Sequence, residues 1–315
     1  MHTINSVLIA GAGAIGLTAA ERIYKNDPGC VSVLAAGGRL KRYRREGLFV
    51  NGERIDFRFG DGKPVDLIIV ASKFHHLDAV IADIKPYIKS DTIILSLLNG
   101  ISSEDIIGKA FGRERLPLAM IIGTDAFHRG TETTYTLPGV IHFGDAGGNN
   151  GEREERLAEF FSRVKVPFEV QQNMRRMYWY KFMINVGANQ ITAVLRLTYR
   201  AIQKKGNAGE IPEARALIEM AMREVINVAN AEGIDLNEHD IGSWYTTVNT
   251  LDGSSTTSMC QDVLAGRKTE VEMFALAVME MGKKRHIPVP VNEMLYLALR
   301  AIEKSYGITA ETTLL

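Results

Sequence analysis

The sequence predicts an α/β chain, with a doubly wound parallel sheet in its N-terminal part and an all-helical domain after it. Three observations carry that expectation. An apolar run, Val7–Ala10, ends in the pattern Gly11-x-Gly13-x-x-Gly16 and passes into helical spacing over Leu17–Lys25. Two further near-continuous apolar runs, Asp66–Ala71 and Asp91–Ser96, flank a helical stretch, as parallel strands buried on both faces do. From Met174 onward strand signals nearly vanish and helical spacing recurs. A length of 315 residues suits two domains, expected here at residues 1–172 and 173–315.

Composition narrows the classes of partner. Hydrophobic residues make up 46% of the chain, enough for sizeable cores, and Lys+Arg balance Asp+Glu at 37 each. That balance points away from nucleic acid and anionic membranes and toward a small molecule. The two cysteines, Cys30 and Cys260, lack the spacing of a metal clip or a disulfide framework, so no metal is expected and a reducing cytoplasm is the expected setting. The chain shows neither a basic leader with a processed hydrophobic stretch nor an apolar run of about 18 residues, so no targeting segment or membrane span is expected.

In order along the chain, strand, glycine turn and helix come first. Glycines in that setting put backbone N–H groups and a helix N-terminus against a pyrophosphate. Gly11, Gly13, Ala14, Ile15 and Gly16 are therefore candidate cofactor residues of a Rossmann-type domain. A second strand is expected at Val31–Leu34. After it an NAD-selective site would place an acid for the ribose 2′-hydroxyl, and no acid occurs between Pro28 and Arg45. Arg39, Lys41, Arg42 and Arg44 stand there instead, which suits the 2′-phosphate of NADP; the alternative is a solvated basic helix face. Ligands of such sheets bind beyond the carboxyl ends of strands, where Ser72-Lys73 and Asn99-Gly100 lie, so Lys73 could approach the cofactor and Asn99 the nicotinamide end or a substrate. Shorter strands are expected at Leu118–Thr124, Thr133–Thr136 and Val140–Gly144, then a charged amphipathic helix at Glu152–Arg163 and an edge strand at Phe168–Val170.

The second half opens with Met174–Thr192, a Pro-free segment expected to form one helix. Lys181, Asn185 and Asn189 interrupt its apolar interior. Each step of four residues advances about 400°, so the three drift by only about 80° and share one side. A lysine among core residues needs partners or a polar cavity; the alternative is the surface stripe of a half-buried helix. Further helices are expected at Pro212–Ala231, His239–Thr247, Thr257–Leu264, Val271–Arg285 and Asn292–Lys304. With no long linker, a cleft is expected where the domains join, with Lys181 at the reactive end of a cofactor. Ser258, at a helix start, offers a hydroxyl to a carboxylate or merely caps the helix. Glu270 follows Arg267 and Lys268 and would ordinarily pair with them at the surface.

Gly11-x-Gly13-x-x-Gly16, Ser72-Lys73, Leu98-Asn99-Gly100, Trp179-x-Lys181-x-x-x-Asn185-x-x-x-Asn189 and the run from Thr257-Ser258-Met259 to Thr269-Glu270 together resemble ketopantoate reductase (2-dehydropantoate 2-reductase), in order, from about residue 5 to 305. The resemblance implies NADPH-dependent reduction of the ketone of 2-dehydropantoate to pantoate, on the way to pantothenate and coenzyme A. It implies Lys181 as general acid, Asn99 touching both nicotinamide and substrate, Asn185 and Asn189 holding substrate, Ser258 its carboxylate and Glu270 its hydroxyl end. The partner implied is a small 2-oxo acid, and a homodimer is one assembly open to the chain.

The resemblance has departures. Ala36 stands where many relatives have Arg, leaving that work to Arg39 or Lys41. Gln190 stands where Pro is common, Ala275-Leu276 where Asn-Gly is common, and Arg196–Arg200 lacks a common glycine. These positions border the expected substrate side. Two alternatives therefore stay open: a reductase of another 2-oxo acid or an opine-like substrate, and a non-catalytic NADP-binding regulator.

Overall fold

The computed structural model describes residues 3–307. The chain divides into two compact units, the first ending at Tyr178 and the second beginning at Trp179. In chain order the first unit holds β1 (Val7–Ala10), α1 (Ala14–Asn26), β2 (Val31–Val33), α2 (Gly37–Glu46), β3 (Leu48–Val50), β4 (Glu53–Ile55), β5 (Arg58–Phe59), β6 (Leu67–Val70), α3 (Leu77–Ile84), β7 (Ile93–Ser96), α4 (Ser103–Phe111), β8 (Leu118–Thr124), β9 (Phe127–Arg129), β10 (Glu132–Thr134), β11 (Pro138–Gly144), α5 (Glu152–Arg163) and β12 (Phe168–Val170). Helix α6 (Met174–Ile184) carries the chain across the boundary.

Five parallel strands form the main sheet in the order β5-β2-β1-β6-β7. Every residue of β1 and β6 is fully buried, as their unbroken apolar sequences require of strands covered on both faces. Leu17, Ala20 and Ile23 of α1 join their core. Strand order reverses at β1, which lies between β2 and β6. In such sheets that reversal opens a crevice at the carboxyl ends of the strands.

The remaining strands form two further sheets. β8 and β11 pair antiparallel, with β12 parallel to β11, in a separate three-stranded sheet. The strand expected at Thr133–Thr136 is Glu132–Thr134, and it belongs to a third sheet of order β4-β3-β10-β9. The β3–β4 hairpin turns on Asn51-Gly52, with φ +51° and +80°. Two left-handed residues suit the right-handed twist of such a hairpin.

The second unit continues with a π turn at Asn185–Asn189, then α7 (Gln190–Leu195), α8 (Tyr199–Ile202), α9 (Pro212–Ala231), α10 (Glu238–Val248), α11 (Ser258–Leu264), a second π turn at Glu272–Leu276, α12 (Ala277–Arg285) and α13 (Pro290–Ser305). Among its described residues there is no strand. Of the single helices expected over Met174–Thr192 and Val271–Arg285, the first is interrupted by a wider turn and the second opens on one. A π turn inserts one residue into the helical repeat. Where neighbours on every side are apolar, that shift leaves no mark on the pattern. Among the described residues no helix is long and apolar enough to cross a membrane.

At the start of β6, Asp66 ties the sheet to the N-terminal segment. Its carboxylate accepts from the backbone N–H of Asn5 (2.8 Å) and Ser6 (2.9 Å), from the Ser6 hydroxyl (2.9 Å) and from the Lys89 ammonium (2.6 Å). Burial pushes the carboxyl up, and these donors outweigh it, so the group lies below its ordinary value. A depressed carboxylate stabilises the fold above its unfolded-state value near pH 4 and loses that contribution as pH falls through the folded value. Asp66→Ala is expected to cost about 1–3 kcal/mol at pH 7. Urea unfolding at pH 7 and pH 3 checks this, and a deficit that does not shrink at pH 3 would reject the assignment.

Candidate functional site

In the first unit the glycine turn sits between the buried end of β1 and the start of α1. Gly11 has φ +132°, and a Cβ there would stand 2.5 Å from the Ala71 carbonyl oxygen and 2.7 Å from the Ser72 nitrogen. Only glycine lets the turn lie this close to the end of β6. A Cβ on Gly16 would meet the Gly11 carbonyl oxygen, so the third glycine seats α1 against the turn. Gly13 differs, because nothing lies within 4 Å of where its Cβ would be. It is the N-cap of α1 and has no side-chain cap. Ala14 and Ile15 follow, half-buried, in the first helical turn. The turn thus presents open space at a helix N-terminus without a side-chain cap, the arrangement a phosphate needs.

Around this turn stand the other first-unit candidates. Among the described residues the buried Ser72 hydroxyl has no partner. Lys73 is half-buried and precedes a short 3-10 turn, Phe74–His76. Asn99 is half-buried beyond the end of β7, with Gly100 at φ +82° completing its turn. Arg39 stands exposed in the first turn of α2, which contains no acidic residue. Arg42 is partly engaged, lying 5.2 Å over the Tyr43 ring. Among the described residues no group of three or more His, Cys, Asp or Glu side chains is placed to hold a metal ion.

Beyond β7 a buried polar chain fixes the start of α6. The hydroxyls of Ser96 and Ser103 lie 2.8 Å apart, and Ser103 and Tyr178 both donate to Glu104 Oε2, at 2.9 and 2.6 Å. Burial pushes the Glu104 carboxyl up, against the pull of Tyr178 and Ser103. Tyr178 precedes Lys181 by one helical turn.

In the second unit, Lys181 and Asn185 are half-buried and Asn189 is 9% exposed. Asn189 Nδ2 donates to Asn185 Oδ1 at 3.4 Å, so these two side chains meet across the π turn. Gly187, within that turn, allows α9 to approach: a Cβ there would stand 2.6 Å from Met222 Cγ and 3.0 Å from the Ile218 carbonyl oxygen. Thr192 bonds the Ala188 carbonyl at 2.7 Å and the Thr257 hydroxyl at 2.7 Å. Thr257, not Ser258, caps α11, accepting from the Cys260 N–H at 3.3 Å. The Ser258 hydroxyl is thereby left exposed at the first position of α11.

Glu270 is 7% exposed, unlike a surface ion-pair partner. The neighbouring cations go elsewhere, Arg267 to Asp262 at 2.9 Å and Lys268 to Glu272 at 3.1 Å. One further contact was legible in the sequence only as two unrelated departures. Gln190 Oε1 accepts from the Ala275 backbone N–H at 3.1 Å, joining the two π turns.

Two family profiles match the chain. The one described as "Ketopantoate reductase PanE/ApbA" covers residues 7–148, and "Ketopantoate reductase PanE/ApbA C terminal" covers residues 173–303. The chain is 26% identical over 314 residues to the "Uncharacterized oxidoreductase YkpB" of Bacillus subtilis (strain 168), spanning 94% of this chain and 98% of that one. It is 26% identical over 319 residues to a 2-dehydropantoate 2-reductase of Pyrococcus horikoshii, spanning 96% and 98%. Among solved structures, the ternary structure of D-mandelate dehydrogenase with NADH and anilino(oxo)acetate shares the fold, with a TM-score of 0.85 at 24% identity over 96% of this chain and 100% of that one.

The open space at Gly13 makes a prediction specific to that glycine. A Cβ at Gly13 meets nothing within 4 Å, so Gly13→Val should keep the fold and lose dinucleotide binding. Fluorescence titration with NADPH alongside circular dichroism reads both. Unchanged affinity in the folded variant means that the turn is not a phosphate site.

Proposed function

The chain belongs to the ketopantoate reductase family, and we propose that it reduces the ketone of a 2-oxo acid with NADPH, 2-dehydropantoate being the favoured substrate and pantoate the product. The observation that carries this reading is the burial of polar side chains in the second unit: a half-buried Lys181, the Asn185–Asn189 contact and a buried Glu270. A structural stripe has no need of that concentration of polar groups.

The first unit fits a dinucleotide. Gly11 and Gly16 leave no room for side chains, Gly13 leaves open space, and the buried Ser72 hydroxyl has no partner among the described residues. Gly11, Gly13, Ala14, Ile15 and Gly16 would hold the phosphates, with Lys73 and Asn99 nearer the ribose and nicotinamide. Arg39 at an acid-free helix start supports NADP over NAD. When bound, the reduced nicotinamide supplies a hydride to the carbonyl carbon. Negative charge then grows on the ketone oxygen, and the Lys181 ammonium donates a proton there as general acid. Asn99, Asn185 and Asn189 orient the substrate through hydrogen bonds. Ser258 receives its carboxylate, and the Glu270 carboxylate accepts from its hydroxyl end.

A second reading keeps the reaction and changes the substrate to another 2-oxo acid. It is supported by the Gln190–Ala275 hydrogen bond, where two departures from the family pattern meet next to the proposed clamps. D-mandelate dehydrogenase, which shares the fold, is described with NADH and anilino(oxo)acetate. A pure sensor of NADP would need neither Lys181 nor Glu270, which counts against a regulator.

Lys181→Ala should lower kcat by about a hundredfold to ten-thousandfold with little change in NADPH affinity. In the unaltered protein the rate should fall at alkaline pH as the ammonium loses its proton, and that limb should vanish with the lysine. Steady-state kinetics across pH on the best 2-oxo acid checks both. Near-normal turnover by Lys181→Ala would make the stripe structural and refute the assignment.

A further inference from the structure

One buried side chain joins the two π turns of the second unit, and the proposed chemistry does not use it. Gln190 is fully buried. Its Nε2 donates to the Val186 carbonyl at 2.8 Å and to Asn292 Oδ1 at 3.3 Å, while its Oε1 accepts from the Ala275 N–H at 3.1 Å.

Ala275 needs that acceptor. In an α-helix its N–H would go to the Val271 carbonyl four residues back. Here the Leu276 N–H reaches Val271 instead, at 3.2 Å, which is the five-residue bond of a π turn. Ala275 is fully buried, so its displaced N–H has no water to turn to. The Gln190 amide oxygen takes the place of the missing carbonyl.

The orientation of the Gln190 amide is itself dictated. Glu224 is a buried carboxylate, able only to accept when ionised. It accepts from the backbone N–H of Val291 (2.8 Å) and Asn292 (2.9 Å) and from Asn292 Nδ2 (2.7 Å). With its NH2 group committed to Glu224, Asn292 presents Oδ1 to Gln190. Gln190 must then offer Nε2 in that direction, which turns Oε1 toward Ala275. A carboxylate on α9 thus sets, through two amides, which end of Gln190 faces each π turn.

The consequence falls on the proposed clamps. Asn185 and Asn189 are the first and last residues of one π turn. The other begins two residues after Glu270, whose carbonyl accepts from the Met273 N–H at 2.9 Å. We propose that Gln190 is a positioning residue for the reaction: by joining the two π turns it holds Asn185 and Asn189 at a fixed spacing from Glu270, and substrate fit depends on it. The inference rests on the reading of those three side chains as substrate contacts.

Two variants of similar length test it. Gln190→Met removes every hydrogen bond, whereas Gln190→Glu keeps an acceptor for Ala275 and removes the donor to Val186. In Gln190→Met the Ala275 amide should exchange with solvent about tenfold faster than in the parent, measured by NMR. KM for the 2-oxo acid should rise about tenfold or more, with NADPH Kd within about twofold. In Gln190→Glu the Ala275 amide should stay protected, and KM should still rise, by about threefold or more, because the first turn has lost its donor. If Gln190→Met does not fold, Gln190→Glu carries the test. Loss of thermal stability with KM and kcat unchanged in either folded variant would overturn the proposal, as would unchanged Ala275 exchange in Gln190→Met. A parent protein that turns over no 2-oxo acid would instead undo the reading of the clamps, and Ala275 exchange would still decide whether Gln190 joins the turns.

Discussion

A π turn buried in a protein interior leaves backbone groups displaced from their α-helical partners, and each must find another. The second unit has two such turns, at Asn185–Asn189 and Glu272–Leu276. An unsatisfied buried N–H or carbonyl costs about 1–3 kcal/mol, a substantial share of the 5–15 kcal/mol by which a domain is ordinarily stable. Gln190 bonds to both turns at once, donating to the Val186 carbonyl and accepting from the displaced Ala275 N–H. The polar side chains that the first turn carries, Asn185 and Asn189, meet each other across it. Packing, backbone satisfaction and the candidate chemistry are therefore coupled in one short stretch of chain.

The first unit solves a simpler problem with glycine. Gly11 and Gly16 are required by close approach, to Ala71-Ser72 and to the turn itself, whereas Gly13 faces open space. These are two different physical settings for one residue type within a six-residue pattern. The strand order β5-β2-β1-β6-β7 places that pattern at the point where the order reverses, where a parallel sheet has a crevice to offer.

Much of this was legible in the sequence because the signals were local and strong. Buried parallel strands write themselves as unbroken apolar runs, so β1, β6 and β7 could be read directly. The short strands β3, β4, β5 and β9 could not, since two or three residues carry no periodicity, although Asn51-Gly52 was an available hairpin signal. The stripe of Lys181, Asn185 and Asn189 was visible as spacing, but the π turn beneath it was not. Ser258 could be read as a cap or a ligand contact, and only the Thr257 cap separates the two. Gln190 and Ala275 lie far apart in sequence, so their hydrogen bond could not be inferred from either departure alone.

The proposed activity is reduction of a 2-oxo acid by NADPH, with these side chains holding the substrate and supplying the proton. Initial rates of NADPH oxidation with 2-dehydropantoate, run beside NADH and a panel of other 2-oxo acids, test it most directly. The account predicts saturable, enzyme-dependent oxidation of NADPH with a 2-oxo acid, 2-dehydropantoate first among them, and a lower kcat/KM with NADH. Turnover confined to another member of the panel would reassign the substrate and keep the reductase. No oxidation above background with any member would contradict the account.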